Sequence, residues 1–340
     1  VTGADPGTDS GAEPWLTATA AAGRAGVRVR PLTNRDDLVA AGTLLNRVWG
    51  VDPDGPGGSE LQPHLLRALE HSGNYVQGAA LSPAAATNGD VHGHAGPLVG
   101  ASIAFLGRTD GQWSLHSHIT GVLGEQASRG VGAALKWHQR AWCLDRGIGL
   151  VTWTFDPLIA RNAWFNLGRL GARPAEYLVD FYGPMSDGRN QGQPTDRLGM
   201  VWDLHAPSTL AAAAALRSGG PVRAASGDLV DPPQRWLGSG PDGGPVDAVD
   251  TDGGLPAPRS AEDDAVIAVP DDAEELWRSD PDAAGRWRLA VRGVLGAAVA
   301  DPRWAVTAFR PRVGYVVTAV AASGQSRLAA SGSEREEPTG

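Results

Sequence analysis

Between Ser117 and Pro157 the chain reads as one strand–turn–helix–strand unit, and no other stretch limits the fold so tightly. Ile119 to Leu123 is an apolar strand, and Gly124 to Ser128 is a loop. Arg129-Gly130-Val131-Gly132 then opens a helix that runs to about Arg146, with Val131, Ala134, Leu135, Ala141 and Trp142 as its buried stripe. Gly149 to Phe155 is a second strand, closed by Asp156-Pro157. The first turn of a helix carries N–H groups with no acceptor inside the helix, and the aligned peptide dipoles gather positive charge there. Glycine at 130 and 132 removes the Cβ atoms that would hold a phosphate away from the backbone. The unit therefore reads as an anion site, with a pyrophosphate as the expected ligand.

The residues around the glycines narrow the choice of phosphate ligand. The dinucleotide fingerprint needs a third glycine at 135, where the chain has Leu135. A Walker loop needs Gly-Lys-Ser/Thr, and the only lysine, Lys136, lies beyond the glycines. The stretch resembles motif A of the GNAT superfamily of CoA-dependent N-acyltransferases, in which a Q/R-x-x-G-x-G/A loop holds the CoA pyrophosphate. Gly130, Val131 and Gly132 fit its second half. The Q/R slot falls on Ala127, a departure, with Gln126 and Arg129 on either side.

The order of elements supports the resemblance. Val27 to Pro31 is an alternating strand, and Thr33 or Asn34 caps a helix carrying Leu38, Leu44, Leu45 and Val48. Leu61 to His71 reads as a second helix, Asn74 to Ala80 as a strand, and Pro83 to Gly96 as a polar insertion. Leu98 to Leu106 and Trp113 to Leu123 form two strands around a turn at Thr109-Asp110-Gly111. After the central unit come a helix over about Leu158 to Leu170 and strands at Glu176 to Tyr182 and Leu198 to Leu204, with a polar loop from Asp187 to Arg197 between them. The series β-α-α-β-β-β-α-β-α-β-β predicts an α/β (α+β) fold, a GNAT-like mixed sheet wrapped by helices over residues 27–205. The runs Trp153-Thr154-Phe155-Asp156-Pro157, Asn162-Ala163-x-x-Asn166, Phe181-Tyr182-Gly183 and Thr195-Asp196-Arg197 are similar to an acetyltransferase branch whose members carry a C-terminal extension. Here a small β-α-β-β unit over 265–322 fits that extension. Gly/Ala/Thr/Asp-rich residues 1–26 predict a disordered tail, 206–264 a flexible linker and 323–340 a second tail.

Composition sets the outer limits. A net charge of −9 without a lysine/arginine cluster argues against a nucleic-acid partner. One cysteine, Cys143, leaves no disulfide framework and reads as a small buried residue. No leader pattern and no run of membrane-spanning length is visible, so no membrane partner is predicted and a cytoplasmic location is the expectation. The sequence is compatible with a homodimer and does not require one.

The resemblance also implies a site. The strands before and after the central helix should part, acyl-CoA (acetyl-CoA by default) should enter between them, and a small-molecule amine should approach from the far side. Backbone N–H groups near Ile119 to Val122 would polarise the thioester carbonyl. The family's tyrosine acid would fall at Leu167, so it is absent; Tyr182 or Tyr177 is the expected substitute. Asp156 is a candidate base and equally a helix cap before Pro157. Asn162 and Asn166, one turn apart, are expected to face the same way, one of them toward ligand. Trp153, Thr154 and His118 (with His116) would meet the acceptor. Arg197 would fork onto a carboxylate or else pair with Asp196. No metal is expected, since His92 and His94 sit in the polar insertion. Asp156 and Tyr182 are thus the catalytic candidates, and Val122, Gln126, Arg129, Gly130, Val131, Gly132, Asn162 and Asn166 the candidates for binding the co-substrate. The outcome is an acyltransferase working by direct attack, with a silent CoA-binding module or an amino-acid N-succinyltransferase as rivals.

Overall fold

A computed structural model describes residues 12–52, 61–82, 96–183, 193–220, 234–247, 249 and 254–320. It opens on a helix, α1 (Ala12–Ala25), where the sequence predicts a tail. Thr17, Ala18, Ala21 and Ala25 are its buried stripe. Their spacing is helical, but alanine and threonine contrast too weakly with the neighbouring small residues for periodicity to show it. Glu13 anchors the helix, accepting from Arg140 at 2.9 Å and pairing with Arg217. Residues 1–11 lie outside the described residues.

The expected order follows: β1 (Val27–Pro31), α2 (Arg35–Trp49), α3 (Pro63–His71), β2 (Tyr75–Leu81), β3 (Leu98–Thr109) and β4 (Gln112–Val122). A 3-10 turn (Gly124–Arg129) then leads into α4 (Val131–Leu144), β5 (Leu150–Phe155), α5 (Ala160–Ala163), β6 (Arg173–Leu178) and β7 (Arg197–Asp203). Asn34 caps α2, its side chain accepting from the Asp37 N–H. These strands form one mixed sheet, ordered β1-β2-β3-β4-β5-β7-β6, in which only β4 and β5 run parallel. Ala101 and Ile103 of β3 pack with Leu38, Leu44 and Leu45 of α2 on one face. Leu115 and Val151 pack with Val131, Ala134 and Leu135 of α4 on the other. Two predicted elements differ. The helix expected over Leu158 to Leu170 is one α-turn running into a π-helical segment, Trp164–Arg169. The strand expected to reach Tyr182 ends at Leu178, and Phe181 and Tyr182 lie in a turn with Asp180 at φ 46°.

The segment read as a linker is also partly built. It holds α6 (Pro207–Ser218), whose Thr209, Ala212, Ala213 and Leu216 are buried, then β8 (Gln234–Ser239) and β9 (Pro245–Asp247). After β10 (Asp264–Ile267), α7 (Ala273–Ser279), α8 (Pro281–Ala300), β11 (Trp304–Arg310) and β12 (Gly314–Ala319), the second sheet is ordered β11-β12-β10-β8-β9. The expected β-α-β-β unit is therefore part of a five-stranded sheet. The apolar signal of β8 reduces to Trp236 and Leu237 among Gly, Pro and Asp, too short to read as a strand. Most of the insertion at 83–96 (residues 83–95), His92 and His94 included, and the tail after 322 lie outside the described residues.

Candidate active site

β4 and β5 pair through only two residue pairs, Leu115↔Val151 and His116↔Thr152. From there each strand keeps its outer partner: β4 follows β3 to Val122↔Gly100, and β5 follows β7 to Phe155↔Leu198. A bulge marks the parting point. Ser117 and His118 together oppose one residue, Ala104, between the pairs Phe105↔His116 and Ile103↔Ile119. A bulge bends its strand, here at the first residue that has lost its β5 partner. The result is a V-shaped cleft, closed at His116 and Thr152 and lined beyond them by backbone without a ladder between the two strands.

The helix that follows β4 opens beside this cleft. Gly130 sits in the left-handed region at φ 85°, a conformation costly for residues with a Cβ, and accepts the first helical bond from the Ala134 N–H at 3.0 Å. The amides of Val131, Gly132 and Ala133 have no acceptor within the helix. A Cβ built at Gly132 would meet nothing within 4 Å, so space lies open beside these donors. Bare amides, dipole and open space fit the phosphates of a CoA ester. Gln126 and Arg129 sit on the exposed turn, with Arg129 Nη1 donating to Gln126 Oε1 at 3.3 Å. Val122, half-buried, ends β4.

Lys136, to which no motif assigns a role, holds its amine where the strands part. Nζ donates to Ser117 Oγ at 2.7 Å and to Gln139 Oε1 at 3.4 Å, and lies 4.2 Å from the centre of the Trp153 ring. Ser117 and Trp153 are the first residues on each strand past the last β4–β5 pair. The side chain is buried and its bonded partners are neutral, so loss of hydration brings its pKa down from 10.5 to about 7. One signal was available: this is the single lysine in a chain with 29 basic residues. Trp153 is buried, with its ring against Lys136 Nζ and edge-on to the buried Trp202, whereas its neighbours Thr152 and Thr154 meet His116 and Tyr182.

The opposite face carries the polar groups expected to meet an acceptor. His116 Nδ1 lies 3.1 Å from Thr152 Oγ1, and Tyr182 OH lies 3.0 Å from Thr154 Oγ1. The Phe105 ring stands 5.1 Å from that of His116 and 5.8 Å from that of His118. Burial lowers the pKa of both histidines; for His116 the neighbouring His118 and Lys136 add to it. Both are neutral at pH 7. The Arg197 guanidinium stacks 5.3 Å from the Tyr182 ring and donates to the Asp196 carbonyl at 2.9 Å.

Other expected roles change. Asp156 has both carboxylate oxygens bonded by Arg288 of α8, at 2.7 and 2.8 Å, and accepts the Leu158 N–H at 2.9 Å. Asp156, expected as base or helix cap, is thus a structural tie, and Arg197 Nη1 also lies 3.9 Å from its carboxylate. α5 begins only at Ala160 with Ile159 as N-cap, so the bond to Leu158 closes a local turn rather than capping a helix. Asp196 is paired with Arg292 at 2.8 and 2.9 Å rather than with the side chain of its neighbour Arg197. Tyr177 donates to Asp196 at 2.9 Å; burial, then that carboxylate, push its pKa above the ordinary value, so it is no ready proton donor. Asn162 is exposed and Asn166 is buried, because the π-helical segment breaks the register that would have aligned them. Leu167, in the tyrosine slot, is core.

No protein-family model and no curated protein matches the chain. Among solved structures it is similar to the ribosomal-protein-S18-alanine N-acetyltransferase of Escherichia coli, at 14% identity over 52% of this chain and 92% of that one, with a TM-score of 0.36. It is also similar to a putative acetyltransferase of the GNAT family from Desulfovibrio desulfuricans (16% identity, 52% and 99% covered, TM-score 0.38). The IAA acetyltransferase from Bacillus cereus is another (13% identity, 52% and 99% covered, TM-score 0.36). Among the described residues no helix is long and apolar enough to cross a membrane, and no three His, Cys, Asp or Glu side chains are grouped to hold a metal ion.

Proposed function

We propose that the chain is an acyl-CoA-dependent N-acyltransferase that moves an acyl group, acetyl by default, to a small-molecule primary amine. The observation that carries this reading is the parting of β4 from β5 beside the open amides of α4. A thioester needs a slot between strands and an anion cradle at one end, and the two stand next to each other here. In this reading the amides of Val131 to Ala133 hold the pyrophosphate, with Gln126 and the Arg129 guanidinium at its border. The released edge of β4, Ser117 to Val122, offers backbone N–H groups to the thioester carbonyl. The amine approaches from the side of Thr152, Thr154 and Tyr182, and neutral His116 or His118 accepts its proton. With the acceptor and the thioester on opposite sides of one cleft, attack is direct within a ternary complex.

Gly132→Glu tests the cradle, because it places a negative side chain in the open space beside Val131. It is expected to abolish acetyl-CoA binding in calorimetry, and unchanged binding would overturn the assignment. The rival, a silent CoA-binding module, draws support from Ala127 in the Q/R slot and Leu167 in the tyrosine slot. Thiol release from acetyl-CoA against a panel of amines separates them. Saturable binding without acceptor-dependent release would favour the silent module.

A further inference from the structure

We propose that Lys136 is the proton donor of this cleft, delivering a proton to the sulfur that leaves when the acyl group is transferred. The inference rests on the acyltransferase reading above. Its ground is location: Nζ lies against Ser117 on one strand and over Trp153 on the other, at the apex where the two separate. No tyrosine stands in the family's usual slot, so a donor has to come from elsewhere.

A packing role alone does not account for this side chain. Methionine or leucine would fill the same space without stripping water from an amine, and among the described residues the buried cation has no carboxylate to offset that loss. The chain uses arginine for every other basic position, yet keeps lysine here. Arginine holds its proton at any working pH, whereas a desolvated lysine can release one. A second buried donor lies beside it: Gln139, fully buried with Oε1 3.4 Å from Lys136 Nζ, has Nε2 without a hydrogen-bond partner among the described residues. Two N–H groups at one apex, one of them unmatched, call for an acceptor that none of the described residues supplies.

The groups facing Lys136 leave it free to titrate. Ser117 and Gln139 contribute dipoles and Trp153 its ring face. From α4, Cys143 has its thiol pKa pushed up to about 12, chiefly by burial, and is neutral. From β4, His116 is neutral at pH 7. With its own pKa near 7, the lysine exists in both forms at neutral pH, as an efficient proton-transfer group should. In the step itself, the neutral acceptor nitrogen bonds to the thioester carbonyl carbon. The carbon–sulfur bond breaks with its electron pair going to sulfur, and a Lys136 ammonium proton goes to sulfur to give the thiol. The nitrogen loses one proton to His116 or His118, which passes it to solvent, and the Lys136 amine regains one from solvent.

Because the chain holds one lysine, protein grown with 13C-lysine gives one lysine side-chain signal to follow by NMR. That signal is expected to titrate near pH 7 in the free protein and to move when acetyl-CoA is added at saturation. Lys136→Arg and Lys136→Met are expected to bind acetyl-CoA as the wild type does, with amine-dependent thiol release falling about 10²–10⁴-fold. In Lys136→Arg the decline of turnover above pH 7 should also vanish. Titration near 10.5 with no response to acetyl-CoA overturns the proposal, and does so even where neither variant folds. So does full turnover with an unchanged pH profile in the variants, while leaving the acyltransferase reading in place. Failure of the wild type to bind acetyl-CoA overturns both.

Discussion

Two of the buried cations near the end of β5, Arg288 and Lys136, are held in opposite ways. Arg288 reaches over from α8 and meets the Asp156 carboxylate through two parallel bonds. Burial works against its charge, but the charge and hydrogen bonds of Asp156 outweigh this and its pKa lies above the ordinary value. Lys136, three residues back along β5 at Trp153, meets only a hydroxyl, an amide and an aromatic ring. Burial there is not offset, and the pKa falls to about 7. The arginine is permanently charged and ties the C-terminal unit to the first sheet, helped by Tyr315 OH donating to the Pro157 carbonyl at 2.7 Å. The lysine is titratable and stands at the cleft. Pairing makes a buried charge a fastener; leaving it unpaired makes it a proton carrier.

The comparison breaks most sharply at the paired cation. Arg288→Met leaves the buried Asp156 carboxylate with only the Leu158 N–H and the longer Arg197 contact at 3.9 Å, and should lower unfolding free energy by about 3 kcal/mol in urea titration. Adding Asp156→Leu should return most of that loss, and a single variant as stable as the wild type would remove the distinction. Lys136→Met should act with the other sign. The folded-state pKa lies near 7 and the unfolded one near 10.5, so the unfolded chain binds more protons in between and wild-type stability climbs with pH across that window. The variant should therefore be more stable by on the order of 2–4 kcal/mol at pH 6, with the gain fading by about pH 10. Thermal unfolding at the two pH values reads this directly.

A smaller effect is expected at Asp196, fully buried but bonded by the partly exposed Arg292. Arg292→Ala leaves Tyr177 OH and the Asp180 N–H as donors and should cost about 1–3 kcal/mol. The Asp196 pKa is lowered: desolvation opposes this, and the Arg292 bond, the Asp180 N–H and the Tyr177 hydroxyl prevail. The stabilisation is present above the unfolded carboxylate pKa and is lost as pH falls through the folded one, so wild type and variant should converge in acid. Smallest of all is Arg47→Ala at the exposed pair with Glu125, worth less than about 1 kcal/mol and screened by salt.

The sequence and the structure agree where signals are local. Gly130 and Gly132, the strand before them and the helix after them are read from neighbouring residues, and they fold as read. They diverge where small residues hide a pattern. The buried faces of α1 and α6 are largely alanine, which carries little hydropathy contrast, so the sequence predicts a tail over the first and a flexible linker over the second. Asp156 diverges for another reason. Asp-Pro at a helix start looks the same whether the carboxylate faces a ligand or an arginine 132 residues later.

Hydrophobic period and glycine placement, both properties of short windows of chain, thus determined the order of the first sheet's elements and the glycine turn that opens α4. Only the tertiary structure decided that β4 leaves β5 at His116, that Asp156 is a tie, and that Lys136 lies at the apex of the cleft. A pKa or a strand pairing is set by groups remote along the chain, and water removed by their packing leaves no trace in local composition.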